Sequence, residues 1–219
     1  MTGSRSETAW RILQSAIING EFPPGAQLRF QELQEFCGMS VSPVREALTR
    51  LVAAGLVEVE HNRGYRVTKL VVSELDDLVR TRSRVEGWAL EESIRLGDEH
   101  WEAALISSLH LLEHLPRRRE NGANLHDERW EARHAEFHDN LVSACGSPIL
   151  LEFCRTLYSR ADRYRRFSLS METGSRDVAA EHRAILDAAL ARDADKAKDL
   201  LAAHYEATAS FIRDHLSEE

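Results

Sequence analysis

The sequence predicts a mainly α-helical protein, with an N-terminal winged helix-turn-helix followed by an all-α helical bundle. Three observations predict this fold class. Apolar residues recur at helical spacing in three short segments before residue 55. The chain then alternates in polarity from Val57 to Val67 around a turn at residues 62–64, as a β-hairpin does. From Ser73 onward the helical periodicity continues almost without interruption.

The predicted first unit, residues 1–70, contains three helices and a hairpin. The first helix lies in TAWRILQSAIINGEF and ends near Gly20. The second lies in RFQELQEFCG, where the spacing predicts that Leu33 and Phe36 face inward. The third lies in SVSPVREALTRLVAAG, where we expect Ser42 as the N-cap and Pro43 at the first helical position. Three helices followed by a two-stranded wing are typical of a winged helix-turn-helix.

The predicted second unit, residues 73–219, consists of six helices. Their bounds are set by breaks such as CGSP, METGS and RDAD, and the pattern predicts a bundle with antiparallel neighbours. We place the helices near residues 73–97, 99–115, 125–144, 148–167, 176–192 and 194–216.

Charge is distributed unevenly between the two units. The 219-residue chain has a formal net charge of −8. Residues 1–70 carry 8 Lys and Arg against 7 Asp and Glu, a net of +1, and residues 71–219 carry 20 against 29, a net of −9. This difference predicts different partners for the two units.

Composition also restricts where the protein acts. No apolar run approaches the roughly 20 residues that a membrane-spanning helix needs, so no membrane association is expected. The N-terminal segment has no apolar stretch of the signal-peptide kind, which favours a cytoplasmic location. The three cysteines lack CxxC spacing and are interpreted as buried thiols in a reducing compartment.

The third helix and the hairpin predict contact with double-stranded DNA. The helix can enter the major groove and carries Arg45 and Arg50 outward, while the hairpin tip reaches the neighbouring groove or backbone. Ser40 and Ser42 are short donors near the start of the helix, and Arg63 and Arg66 offer charge to phosphates. Gly64 lets the wing approach the backbone. In the alternative, a winged helix that binds protein, Arg45 pairs with a carboxylate.

The same segment resembles the DNA-binding domain of the GntR family of bacterial transcription regulators. The resemblance lies in SPVREAL, in the AGLV that continues it, and in the NRG of the wing. It implies that Ser40, Ser42, Arg45 and Gly64 lie at the DNA. Val41 departs from the family, where many members have an arginine, so the operator sequence does not follow from the resemblance.

Four histidines fall on the apolar faces of three predicted helices. His134 and His138 lie four residues apart on one face, and His182 and His204 lie on the apolar stripes of the last two helices. A lone histidine of this kind is more often a satisfied core residue. Four buried imidazoles without partners would be costly, whereas binding one cation accounts for all of them. Nitrogen ligands favour a divalent transition metal, with zinc or nickel preferred.

Residues 73–216 resemble the FCD domain, the ligand-binding domain of the FadR-type branch of that family. The motifs are FH..L..ACGSP, EHRAILDAALARDADKA and, earlier, R..VE..AL. The resemblance implies a metal site of one aspartate and three histidines. His138, His182 and His204 match the histidines, and His134 stands where the aspartate is usual, which leaves the identity of the metal open.

Arg82 is the candidate effector-binding residue. The stripe from Leu75 through Leu78 and Arg82 to Val85 directs its guanidinium into the bundle, where it needs a partner. Its planar fork suits a carboxylate, and the resemblance implies a small carboxylate effector. The alternative is a structural ion pair, with Glu86 or with an acidic residue on another helix.

Together these features predict a DNA-binding transcription regulator: a homodimer that holds two operator half-sites. The alternative from another class is a metal-dependent hydrolase with an appended winged helix. The expected motif of such an enzyme is HExxH, but Ala135 stands where the catalytic glutamate would be. Four protein ligands would also close a zinc coordination shell unless the ion expands its coordination. A third possibility, a protein-binding adaptor, leaves the four inward histidines without a role.

Overall fold

A computed structural model describes residues 4–18, 20–60, 64–116, 127–171 and 176–216. Helices dominate these residues, and three short strands lie in the N-terminal part. In chain order the elements are α1 Arg5–Ile18, β1 Gln27–Leu28, α2 Phe30–Cys37, α3 Val41–Ala53, β2 Val57–Glu60, β3 Gly64–Val67, α4 Val72–Leu96, α5 Glu99–Glu113, α6 Glu128–Val142, α7 Pro148–Met171, α8 Val178–Leu190 and α9 Ala194–Leu216.

The N-terminal part is a winged helix-turn-helix, which confirms that part of the predicted fold class. Helices α1, α2 and α3 pack around a core that includes Leu13, Leu33 and Leu48, and the wing strands add Val57 and Val67 to it. Because these apolar side chains recur at helical spacing, each helix buries one face and leaves the other in solvent. This packing leaves one face of α3 exposed to solvent, where it can contact another molecule.

The wing is a three-stranded sheet rather than the predicted two-stranded hairpin. Strands lie in the order β1-β3-β2, and both pairs are antiparallel. Gln27 lies opposite Arg66 in one pair, and Val57 lies opposite Val67 in the other. A two-residue strand such as β1 has no alternation that a sequence pattern could detect. The pairing joins the segment before α2 to the wing.

Two local predictions in this part are wrong. Helix α3 begins at Val41, and the residue that precedes it in extended conformation is Ser40, so Ser42 lies inside the first turn rather than at the N-cap. The side chain of Phe36 is not inward. It is 44% exposed, and Cys37 occupies the buried position beside Leu33. The edge of Phe36 meets the ring of Phe22, whose centroid is 5.2 Å away, so the aromatic pair forms at the surface.

Helices α4 to α9 form the predicted all-α bundle, and each begins and ends within about four residues of its expected bounds. The main core includes Leu90, Leu105, Phe137 and Ile185, one each from α4, α5, α6 and α8. A smaller core at the end nearer the winged helix includes Leu75 on α4 and Tyr164 on α7. The inner faces of these helices carry the four histidines described below.

Two predictions about the whole chain can also be compared with the structure. The three cysteines are free and buried, as expected for thiols that pack in a core. Within the residues described here, no helix combines the length and the apolar character needed to cross a bilayer.

Candidate functional site

The start of α3 presents an exposed polar surface. Ser40, Ser42 and Arg45 are all exposed, while Val44 and Leu48 on the same helix are buried. The Arg45 guanidinium lies 5.5 Å from the centre of the Phe30 ring, and among the described residues no carboxylate forms a salt bridge with it. The structure therefore does not provide the carboxylate partner that the protein-binding alternative requires of Arg45.

Arg50 has partners within the protein. It is exposed near the end of α3, and its Nη1 is 2.5 Å from a carboxylate oxygen of Glu7 on α1. Its guanidinium also lies 4.3 Å from the centre of the Trp10 ring. A DNA contact by Arg50 stays a prediction. For such a contact, the guanidinium would have to bind DNA in addition to Glu7 and Trp10.

The wing contributes a glycine in a special conformation. Gly64 has φ of 88°, in the left-handed region that side-chain-bearing residues rarely adopt, and a Cβ there would meet nothing within 4 Å. Backbone conformation, not crowding, requires the glycine. Arg63 lies outside the described residues. Arg66 was expected to face phosphates, but it pairs with Glu60 at 2.7 Å and donates to the carbonyl of Gly25, so it holds the sheet together.

The four histidines converge inside the bundle. His134 and His138 come from α6, His182 from α8 and His204 from α9, and all four side chains are buried. One ring nitrogen from each can be chosen so that all four lie within 4.8 Å of one another. The helical spacing of four residues places the α6 pair on one face, and the packing of α8 and α9 brings the other two against it.

Burial favours the neutral form of three of these imidazoles. It lowers the pKa of His134 and of His138 well below the ordinary value, and the other histidines of the cluster add to the effect. Burial also lowers the pKa of His204, although the hydrogen bond that its Nδ1 donates to Glu181 opposes this shift. Because only a neutral imidazole has a lone pair to donate, burial favours in His134, His138 and His204 the protonation state that metal ligation needs.

Hydrogen bonds orient two of the rings. Nδ1 of His204 lies 2.7 Å from Oε2 of Glu181, and since an ionised carboxylate only accepts, Nδ1 carries the proton and leaves Nε2 free. Nδ1 of His134 lies 2.9 Å from the Tyr158 hydroxyl. Sequence reasoning missed both partners. Glu181 is adjacent to His182 in EHRAIL, but nothing in the sequence singled out Tyr158.

The surroundings of His138 indicate whether the cluster is suited to bind a metal. Both of its ring nitrogens are buried and have no hydrogen-bond partner among the described residues. A buried polar group left in this condition is destabilising by about 1–3 kcal/mol. Coordination to a cation would satisfy it, and four nitrogens form a donor set that zinc and nickel accept. The residues present therefore fit a bound divalent ion.

Arg82 lies beside the cluster but already has a partner. It is buried, and its Nε and Nη2 lie 2.6 and 3.1 Å from the two carboxylate oxygens of Glu86. Burial opposes the charged form, but the Glu86 carboxylate outweighs it and raises the pKa of Arg82. The Tyr205 hydroxyl donates to the same carboxylate at 2.5 Å. The sequence left two interpretations of Arg82, contact with an effector and a structural ion pair. The structure contains the ion pair with Glu86.

A small cavity lies between Arg82 and the histidines. Its volume is about 40 Å³, and His134, His138, Tyr158 and His204 contribute to its lining. This space suits one or two water molecules or a single carboxylate group, not a whole organic acid. Contact between an effector and Arg82 stays a prediction.

Helix α7 connects the bundle to the winged helix. Arg163 is buried, its Nη1 donates to the carbonyl of Gly55 at 3.0 Å, and its Nη2 lies 2.6 Å from both carboxylate oxygens of Glu74 on α4. The hydroxyl of the next residue, Tyr164, accepts from the backbone N–H of Val71 at 3.2 Å. One helix thus contacts the end of the winged helix, the connecting segment and, through Tyr158, the histidine cluster.

Comparison with known proteins identifies both halves. The family described as "Bacterial regulatory proteins, gntR family" matches residues 5–67, and the "FCD domain" family matches residues 77–207. The HTH-type transcriptional regulator BphR of Paraburkholderia xenovorans is 36% identical over 207 residues, 94% of this chain and 84% of its own. The HTH-type transcriptional repressor GlaR of Escherichia coli is 36% identical over 200 residues, 89% of this chain and 90% of its own.

The fold also matches a solved structure along its whole length. The structure of E. coli McbR/YncC superimposes with a TM-score of 0.77 and covers 98% of this chain and 100% of that one, at 23% identity. At this identity the likeness concerns the fold alone. A winged helix-turn-helix followed by a six-helix bundle is therefore an arrangement found in a solved regulator.

Proposed function

Because the chain belongs to the GntR family of bacterial transcription regulators and carries that family's FCD domain, we propose that a small organic acid, bound near a metal ion, controls its affinity for DNA. The observation that carries this proposal is the cluster of four buried histidines beside a buried arginine. The cluster supports a metal, and Arg82 supports a carboxylate. Neither feature is needed for DNA binding by the winged helix itself.

The DNA-binding surface in this proposal is the exposed start of α3 together with the wing. Ser40, Ser42 and Arg45 approach the major groove, with Arg50 further along the helix, and we propose Arg63 and Gly64 as the DNA contacts from the wing. We propose a homodimer, because two copies of α3 can then read the two halves of a roughly palindromic operator. The exposed hydroxyl groups and the guanidinium without a carboxylate partner support this assignment.

Replacing Arg45 with alanine should weaken operator binding by about 1–3 kcal/mol, roughly 5- to 150-fold, if Arg45 reads a base edge. Arg11→Ala is the matched control, since it removes the same charge from the exposed side of α1, where Arg11 lies 3.7 Å from Glu7. Fluorescence anisotropy with operator DNA at fixed salt measures both variants. Equal affinities for Arg45→Ala and Arg11→Ala would mean that Arg45 contributes only general charge.

The second half of the proposal concerns the metal and the effector. His134, His138, His182 and His204 would hold one zinc or nickel ion, which supplies a Lewis acid to a carboxylate oxygen. Arg82 would donate hydrogen bonds to the same carboxylate, which requires it to share its guanidinium with Glu86. Helix α4 carries Arg82 and begins only a few residues after the wing, so a shift of this helix can reach the DNA-binding surface.

Arg82→Met combined with Glu86→Gln should abolish the effect of the organic acid on operator affinity. The double change removes both members of the buried ion pair, because removing only the arginine would leave an unpaired buried carboxylate and destabilise the fold. Glu91→Gln is the control on the same helix, since it removes a carboxylate outside the small cavity, leaves Lys198 paired with Asp195 and should still respond. Operator binding is titrated with a panel of mono-, di- and tricarboxylates. A normal response from the double variant would assign Arg82 to structure alone.

The alternatives are less well supported. The relatives are transcription regulators and not enzymes, and the hydrolase alternative also lacks its glutamate at Ala135. A protein-binding adaptor does not use the histidine cluster. We propose that the protein acts in the cytoplasm, where a regulator meets DNA and where its three free, buried thiols stay reduced.

A further inference from the structure

A larger cavity lies on the other side of His138. It has a volume of about 420 Å³ and opens between α4, α6 and α7. His138 and Tyr158 line this cavity and also the small one beside Arg82, so the two spaces share a wall. The volume falls within the range of small-molecule sites. A buried imidazole without a hydrogen-bond partner in the described structure therefore borders a space large enough for a ligand.

Apart from Glu86, which is buried in its ion pair with Arg82, the rest of the inner lining is small and apolar. Ala132 and Ala135 come from one side, with Val142 further along α6, and Cys154 comes from α7. Burial raises the pKa of the Cys154 thiol to about 12, so at neutral pH this side chain is uncharged. These groups offer contact to hydrocarbon and few polar partners, which favours an apolar ligand body.

The charged side chains at the rim pair with one another, so no cation there is without a carboxylate. Arg155 pairs with Asp139, with Nε–Oδ1 and Nη2–Oδ2 distances of 2.9 and 3.2 Å. Glu136 pairs with Arg133 at 2.5 Å. An anionic group entering here would approach two carboxylates and would have to displace Asp139 to reach a cation. The cleft therefore disfavours a second carboxylate on the ligand.

We infer that the effector is a monocarboxylate with an apolar body: its carboxylate lies at the His138–Tyr158 end, and its short aliphatic chain or single aromatic ring fills this cleft. The inference rests on the proposed control by an organic acid and narrows the class of that acid. Di- and tricarboxylates could coordinate the metal in the same way, but their additional carboxylates would meet the carboxylates at the rim. Ala135 sets the space available to the body, and Asp139 excludes a second charge.

Calorimetry on the metal-loaded full-length protein tests this with three probes: acetate, hexanoate and adipate. Each buried methylene should strengthen binding about four-fold, so hexanoate should bind on the order of 100-fold more tightly than acetate. Adipate has the same chain length but ends in a second carboxylate. We expect it to bind at least about 10-fold more weakly than hexanoate, and Asp139→Asn should narrow that difference.

Ala135→Leu locates the binding site. The larger side chain fills the cleft, and the advantage of hexanoate over acetate should then fall to within a few-fold. Ala103→Leu is the matched control, an equal change at an exposed position on α5 that lies outside the cleft. Metal content is measured for both variants, so that loss of the histidine site is not mistaken for a blocked cleft.

The outcomes separate this inference from the proposed function. Adipate binding as tightly as hexanoate, or an unchanged hexanoate advantage in Ala135→Leu, would overturn the inference and leave control by an organic acid standing. No binding of any of the three acids would overturn the carboxylate effector as well. Tight hexanoate binding that Ala135→Leu removes and Ala103→Leu retains would support both.

Discussion

Replacing His182 with alanine is expected to lower the affinity for a divalent metal by about 100-fold or more. Structural four-ligand sites bind zinc with apparent free energies of about 10–16 kcal/mol, so one ligand accounts for roughly 3 kcal/mol. His182 packs against the other members of the cluster, with its ring centroid 4.8 Å from that of His204 and 5.1 Å from that of His134. Loss of this side chain leaves three ligands and an open position.

Titration of the metal-free protein with zinc or nickel, in competition with a chelator of known affinity, measures the change in metal affinity. His110→Ala is the matched control, because His110 is exposed on α5 and lies outside the cluster. Thermal unfolding gives a second readout, since a metal that binds only the folded protein raises the midpoint. An unchanged metal affinity in His182→Ala would show that the ligand set is wrong.

Replacing Arg163 with glutamine is expected to uncouple effector binding from DNA binding. The guanidinium joins the Gly55 carbonyl at the end of the winged helix to the Glu74 carboxylate on α4, and the shorter amide cannot reach both. Allosteric coupling is typically about 1–3 kcal/mol, or 5- to 150-fold in affinity. In Arg163→Gln we expect the organic acid to change operator affinity by less than about 2-fold.

The reason lies in the position of Arg163 on α7. Tyr158, five residues earlier on the same helix, contacts His134, so we expect a ligand that moves the cluster to move α7 as well. An effector can change DNA affinity only through an element that differs between two states, and this helix contacts both ends. Operator titrations with and without effector measure the response, while calorimetry confirms that the effector still binds.

Arg183→Gln is the matched control for this prediction. Arg183 pairs with Glu113 at 2.5 Å on the far side of the bundle, and its loss removes an equivalent charge without touching the winged helix. If operator affinity in Arg163→Gln still responds fully to the effector, the coupling runs instead through the direct connection between β3 and α4. A lost response in both variants would indicate a general effect of charge rather than a specific contact.

The sequence by itself determined the fold class and the faces of the helices. A helix repeats every 3.6 residues, so the spacing of apolar residues predicts which side of it is buried. This spacing alone placed His134 and His138 on one face and directed Arg82 inward. Each of these conclusions depends on residues within one helix. The same local logic, applied to turns and glycines, placed the wing and the breaks between the helices of the bundle.

Only the tertiary structure decided which residues each inward side chain contacts. Periodicity shows that a side chain faces inward but not what it meets, because the partner is set by the packing of helices far apart in sequence. Arg82 meets Tyr205 from α9, His134 meets Tyr158 from α7, and Arg163 meets Gly55 across 108 positions. Arg66 was predicted from its exposure and charge to face DNA, yet its pairing with Glu60 across the sheet holds it in the wing.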